Sequence, residues 1–340
     1  MKLNTSIRFP SLWPMLPMLL VAVAAQALAA PAGDQPVSLD TAGGTVSGTL
    51  HLPAGEGKVP VVPQVVLIVA GSGPTDRDGN NPAFPSPNNS LKMLAEALGQ
   101  AGFASVRYDK RGIGASRSAA PDESQLRFDT YVDDAAAWIA KLKADPRFGQ
   151  VAVIGHSEGA LIGMLAAERA GAAAYVSLAG VAEAPGAVLR KQLAGKLPPA
   201  LAADNERILA RLEQGRTVAE VPPALAMLYR PSVQPYLISW MKYVPSQRIA
   251  ALRMPVLIVQ GTTDIQVGVD QAQALKAARP DAVLAIIPGM NHVLKEVPDD
   301  PQRQMASYGD PALPLHPQLA GTLTSFLQEA APQTAPQAAH

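Results

Sequence analysis

Val151-Ala-Val-Ile-Gly155-His-Ser157-Glu-Gly159-Ala-Leu-Ile-Gly-Met-Leu-Ala-Ala167 changes character halfway along. Its first four residues are an unbroken apolar run, which fits a strand covered on both faces. From Glu158 onward small and apolar residues read as a helix. Between the two lies Gly155-His156-Ser157-Glu158-Gly159, a G-x-S-x-G sequence in the strand-turn-helix setting that gives the pattern its meaning. Such a turn is sharp and strained, so the residues two before and two after the serine must lack side chains. It lifts the hydroxyl above the sheet, beside a helix N-terminus whose positive end favours developing negative charge. In a chain with 27 glycines the bare pattern could arise by chance. The two flanks make Ser157 the candidate nucleophile rather than an idle serine on a tight turn.

The same strand-helix alternation extends outward. Val65 to Ala70, Phe103 to Tyr108, Ala174 to Leu178, Val256 to Gln260 and Val283 to Ile287 are apolar runs of strand length. Helical stretches separate them at Leu91 to Gln100 (with Ser90 as cap), Asp129 to Leu142 and Val269 to Ala278. This predicts a doubly wound, mostly parallel sheet. Thr45 to Leu52 alternates apolar with small or polar residues and predicts an antiparallel edge strand. Residues 185 to 248 hold no valine-rich run and are broken by Pro198-Pro199, Pro222-Pro223, Pro231, Pro235 and Pro245. They predict an inserted helical cap, against the simpler alternative of connecting helices. Residues 299 to 316 read as irregular, and Gln318 to Glu329 as a last helix. The expected divisions are therefore 37–184 and 249–329 for the core, and 185–248 for the cap. The Ala-, Pro- and Gln-rich stretch 330–340 reads as a disordered tail.

Residues 1–29 have the three-part layout of a secretory signal: Lys2 and Arg8, an apolar run from Met15 to Leu28, then Ala27-Leu28-Ala29. The run is short for a bilayer span and Pro14 and Pro17 interrupt it, so a cleaved signal and an exported protein are expected rather than a membrane anchor. Lys plus Arg equals Asp plus Glu at 28 each. No charge excess points to nucleic acid or an acidic membrane surface. The chain has no cysteine. Thiol nucleophiles, thiolate metal sites and disulfides are thereby excluded.

A serine hydroxyl is too weak a nucleophile without an adjacent base. Of the five histidines, His51 falls in the early antiparallel strand, His156 adjoins the nucleophile and would point elsewhere, His316 lies in irregular sequence and His340 is last. His292 alone follows a late strand, at the carboxyl edge where open α/β sheets carry their sites. The orienting acid should lie between Ser157 and His292 in the chain. Asp264 follows the strand ending at Gln260, whereas Asp270 falls in a helix and Asp281 before a strand. Asp264 could also serve merely as a loop cap. Acyl transfer further needs N–H donors aimed at the oxygen that becomes negative. One should be the Glu158 N–H, after the nucleophile. The other should come from Gly71-Ser72-Gly73-Pro74; Ser72 is the first choice, Gly73 the second, and Pro74 cannot donate.

Taken together, Gly71-Ser-Gly-Pro-Thr-Asp-Arg-Asp-Gly-Asn80, Arg107-Tyr-Asp-Lys-Arg-Gly112, Gly155-His-Ser-Glu-Gly159, Gly261-Thr-Thr-Asp264-Ile-Gln-Val267 and Asn291-His292-Val-Leu-Lys295 resemble bacterial α/β-hydrolases of the carboxylesterase D type. That group is related to the dienelactone-hydrolase and acyl-peptidase branches. The resemblance spans residues 45 to about 297. It implies the α/β-hydrolase fold, a Ser157–His292–Asp264 triad, a small-molecule carboxylic ester as substrate, and no metal or organic cofactor. The same triad would serve a thioesterase, a peptidase or a lactone or β-lactam hydrolase. A binding protein on a dead scaffold is the alternative from another class. Asp76, Arg77, Asp78, Asp109 and Arg111 are expected to brace the loops over the site by pairing with one another, or else to meet a polar substrate group.

Overall fold

In the computed structural model, residues 32–54 and 64–330 are described, together with Met1. The expected signal segment beyond Met1, and all but the first residue of the expected tail, lie outside the described residues.

Among the described residues, eight strands form one sheet: β1 (Gly33–Thr41), β2 (Gly44–Leu52), β3 (Val65–Val69), β4 (Ala104–Tyr108), β5 (Val151–His156), β6 (Ala174–Leu178), β7 (Val256–Gly261) and β8 (Val283–Ile287). Their order is β1-β2-β4-β3-β5-β6-β7-β8. The pairs β1–β2 and β2–β4 are antiparallel, and every pair from β4 to β8 is parallel. The connecting helices are α1 (Ser90–Gln100), α2 (Phe128–Ala144) and α3 (Glu158–Ala170). After β6 come α4 (Pro185–Leu193), α5 (Pro199–Glu213), α6 (Ala226–Tyr229), α7 (Gln234–Trp240) and α8 (Pro245–Ala251). The chain then closes with α9 (Val269–Ala278), α10 (Pro301–Ser307) and α11 (Pro317–Ala330).

Strands β3 to β7 are buried on both faces, and their residues divide by parity. Val65, Leu67 and Val69 face one apolar core with Val151 and Val153; Val66 and Ile68 face the other with Ala152 and Ile154. The first core contains α2, α3, α9 and the buried side chains of α5 and α7. The second is closed by Leu91, Leu94 and Leu98 of α1 and Leu319, Leu323 and Leu327 of α11. Successive side chains of a strand point to opposite faces, so an unbroken apolar run is what two covering layers require. Since α1 and α3 lie on opposite faces, the connections leaving the neighbouring strands β3 and β5 diverge. A crevice at the carboxyl ends of the strands forms at such a point.

Three expectations need correction. Thr45 to Leu52 is not an edge strand: β1 lies outside it, so the folded core begins at Gly33 rather than residue 37. Most of β1 is half-buried or exposed, and only Leu39 is buried, so it lacks the apolar alternation that marks a strand. Ser90 is the first residue of α1, preceded by Asn89 in the left-handed conformation at φ 54°. Residues 299–316 contain α10, whose Asp300 side chain accepts from the Arg303 N–H at 2.9 Å while Pro301 fills the first turn.

Candidate active site

At Ser157 the backbone adopts φ 56° and ψ −121°, a conformation that side chains disfavour. Its flanking glycines are required by close approach. A Cβ on Gly155 would collide with the Gly159 carbonyl and lie 2.6 Å from Ala160 Cα. A Cβ on Gly159 would collide with the carbonyl oxygens of Val69 and Ala70, the latter at 2.5 Å. The Ser157 N–H donates to Leu178 O at 2.9 Å, which ties the turn to β6. Ser157 is half-buried, and α3 begins directly after it.

Asp264 and His292 meet on the loops after β7 and β8. Asp264 Oδ2 lies 2.8 Å from His292 Nδ1, and the two side chains are 1% and 6% exposed. Asp264 is held from three sides: its Oδ1 accepts the N–H groups of Gln266 (2.8 Å) and Val267 (2.9 Å), and its Oδ2 accepts Gln260 Nε2 at 3.1 Å. Burial pushes the carboxyl pKa up, but attraction to His292 and the donated hydrogen bonds outweigh burial and leave it below its ordinary value. The carboxylate is therefore the stable form, as an imidazole-orienting acid requires. Thr262 N–H to Ile287 O (3.1 Å) and Thr263 N–H to Met290 O (3.2 Å) tie the two loops together.

The loop that carries His292 is also bound to the elbow. His156 Nε2 lies 2.8 Å from the His292 carbonyl oxygen, and the two rings are 4.9 Å apart. Burial and the nearby His292 lower the His156 pKa to about 3, so its ring is neutral and Nε2 carries the hydrogen that the carbonyl accepts. His156 thus has a structural task that its place in the sequence did not reveal. Lys295 braces the same loop from below: its fully buried Nζ donates to Asn88 O at 2.9 Å and to the Leu313 carbonyl. Among the described residues, Ser157 Oγ makes no hydrogen bond to His292. Hydrogen bonds between a nucleophile and its base are often loose before substrate arrives.

The loop after β3 passes beside the elbow. A Cβ on Gly71 would lie 3.2 Å from that of Ser157. Neither the Ser72 N–H nor the Glu158 N–H donates to another group among the described residues. Lys110, after β4, donates to the Gly71 carbonyl, lies 3.6 Å from Glu158 Oε1 and sits over the Tyr131 ring at 5.4 Å. Burial pushes its pKa down and Glu158 opposes that push. The sequence pattern gave no sign of this contact, because it depends on β3 lying between β4 and β5.

Of the five charged loop residues expected to pair with one another, only Arg77 and Asp109 do so; Asp78 and Arg111 pair with residues outside that group, and Asp76 accepts from its own turn. Arg77 pairs with Asp109 at 2.7 Å, and Arg107 joins Asp78 and Asp34, each at 2.6 Å. Arg111 binds Asp134 through two bonds of 2.6 Å. Asp76 accepts the N–H groups of Asp78 (2.9 Å) and Asn80 (2.8 Å) and so shapes its own turn. A cavity of about 460 Å³ opens between the loops after β3 and β4, lined by Pro74, Phe84, Pro85, Ile113 and Arg117 among others. Ser157 and His292 do not line it. Among the described residues, no group of three or more His, Asp and Glu side chains is placed to hold a metal ion, and no helix is long and apolar enough to cross a membrane.

The sheet order, the elbow after β5 and the helices on both faces are those of an α/β-hydrolase. The model of the serine aminopeptidase S33 family matches residues 88–297, and the chain belongs to that family. Esterase EstD of Thermotoga maritima is 30% identical over 251 residues, 73% of this chain and 57% of that protein. The chain thus spans a little over half the length of that curated relative. Among solved structures, Est1E from Butyrivibrio proteoclasticus with bound ferulic acid superposes with a TM-score of 0.57 at 20% identity, covering 86% of this chain and 98% of that one. The Pyrococcus furiosus esterase Pf2001 gives 0.52 at 17% identity, covering 87% and 90%. At these identities the likeness to solved structures is one of fold.

Proposed function

We propose that the protein hydrolyses carboxylic esters of small molecules, with short acyl chains, through an acyl-enzyme on Ser157. His292 takes the Ser157 proton as the hydroxyl attacks the ester carbonyl, and Asp264 stabilises the imidazolium that results. The N–H groups of Ser72 and Glu158 hold the oxyanion. His292 then protonates the departing alcohol, and water enters by the same route to release the acid. The observation that carries this reading is a buried imidazole, oriented by a carboxylate 2.8 Å away and roped through its carbonyl to the residue before an elbow serine. The name of the curated relative, an esterase, supports the choice of ester.

The test is hydrolysis of p-nitrophenyl acetate and butyrate by the parent protein and Ser157→Ala. Turnover in the parent and its loss in the variant are expected. Equal rates would remove Ser157 from the mechanism. The S33 family is described as serine aminopeptidases, which favours peptides as the second reading. Amino-acid p-nitroanilides in the same assay separate the two. The helices between β6 and β7 serve in this reading as the cap that shapes the substrate site. Tyr236 of α7 meets Tyr131 of α2 edge-on at 5.6 Å, which brings the insertion to the helix layer beside the nucleophile. The basic and apolar layout of residues 1–29 supports export, with signal cleavage after Ala29.

A further inference from the structure

We propose that Lys110 is a positioning residue for the oxyanion hole, fixing the peptide unit whose far end is the Ser72 N–H. The inference rests on the reading above, in which Ser72 and Glu158 supply the donors. In a trans peptide the C=O and N–H groups point in opposite directions within one plane. Holding the Gly71 carbonyl therefore sets the direction of the Ser72 N–H, which belongs to the same plane. Lys110 Nζ, two residues past the end of β4, donates to that carbonyl. The same ammonium lies 3.6 Å from Glu158 Oε1, and Glu158 carries the second donor on its main chain. One buried cation thus holds the carbonyl of the Gly71–Ser72 peptide and lies beside the Glu158 side chain. The topology makes this possible: in the order β4-β3-β5, a side chain leaving the end of β4 passes over the end of β3 to reach the start of α3.

The burial of the pair argues that it does more than stabilise the fold. The Lys110 and Glu158 side chains are 1% and 5% exposed. Removing two opposite charges from water is costly, and apolar residues of similar volume often hold a fold as well or better. A cation that pins a backbone carbonyl beside a strained serine has a use that packing cannot replace, because an oxyanion donor acts only when its direction is set before reaction. Ser72 and Gly73 themselves are exposed.

The test compares Lys110→Met, the double variant Lys110→Met/Glu158→Leu, the parent and Ser157→Ala. Readouts are kcat and KM for p-nitrophenyl butyrate, the inhibition constant of a trifluoromethyl ketone, and Tm. The ketone forms a hemiketal oxyanion on the serine and so reports the hole directly. Lys110→Met is expected to lower kcat about 10- to 100-fold with KM within about threefold, a milder loss than deleting a donor outright. Ketone binding should weaken by a similar factor. The double variant leaves no buried charge unpaired; its Tm should match or exceed the parent's while kcat stays low. Recovery of parental kcat and ketone affinity in the double variant would overturn the inference, showing that Lys110 only neutralises Glu158. Ser157→Ala tests the nucleophile separately: loss of turnover there alongside full turnover in the double variant would leave the triad standing and the Lys110 role refuted.

Discussion

Ser157 sits at φ 56° because its neighbours leave no other path between β5 and α3. Strain of this kind persists only when the surroundings over-determine it, and here the two glycines, the Leu178 carbonyl and the His156–His292 bond do so. Around it, each side chain has one task that can be removed singly. Asp264→Asn keeps the shape of the loop but cannot hold the imidazolium; kcat for p-nitrophenyl butyrate is expected to fall about 10³- to 10⁴-fold with Tm little changed. His156 offers a prediction in stability. Its folded pKa of about 3 lies below the ordinary 6.5, so the stability it contributes is complete above the unfolded value and is lost as pH falls from there toward 3. The slope approaches about 1.4 kcal/mol per pH unit for one such group. In urea unfolding between about pH 4 and 6, His156→Gln should show a shallower dependence on pH than the parent; parallel curves would contradict the assignment. The elbow at Ser157 and the meeting of Asp264 with His292 were legible from chain order and motif, whereas the contacts of His156 and Lys110 were not. Both meet main-chain oxygens of residues far away in the chain, and a backbone contact leaves no pattern in the sequence.

The legible elements were those whose burial is uniform. β3, β5 and β7 are apolar along their length because layers cover both faces, and their ends lie within two residues of the positions read from sequence. β1 escaped notice since a half-exposed edge strand imposes little on composition, and α10 was hidden among prolines that read as loop although Asp300-Pro301 is a helix start. At this scale Gly159 is the most exacting position. Its Cα faces the carbonyls that end β3, so the α3 N-terminus packs directly on the neighbouring strand. Gly159→Ala is expected to destabilise the protein by about 1–3 kcal/mol, as overpacking does, measurable by urea unfolding. A change below about 0.5 kcal/mol would mean that helix and strand are not in such contact.

Across the whole molecule, strand order carries the function. The sequence predicted parallel strands with helices between them, but not that β3 lies between β4 and β5, which brings Gly71, Lys110 and Ser157 to one rim. Nor could it foretell that the insertion shares a core with α2. Phe128 stacks on Trp240 at 6.2 Å and its N–H donates to Ser239 Oγ at 2.7 Å. Sheet and insertion should therefore unfold together. In Trp13→Phe/Trp138→Phe and Trp13→Phe/Trp240→Phe variants, fluorescence of the one remaining tryptophan should follow the same thermal curve as far-UV circular dichroism. A separate early transition at Trp240 would show the insertion to be an independent unit. The central claim is that three loops converge to make one serine hydroxyl reactive. Peptide mapping after treatment with a fluorophosphonate tests it most directly: the account predicts one phosphonylated residue, Ser157, with labelling abolished in His292→Ala. An unlabelled protein that still hydrolyses esters, or an adduct on another residue, would contradict it.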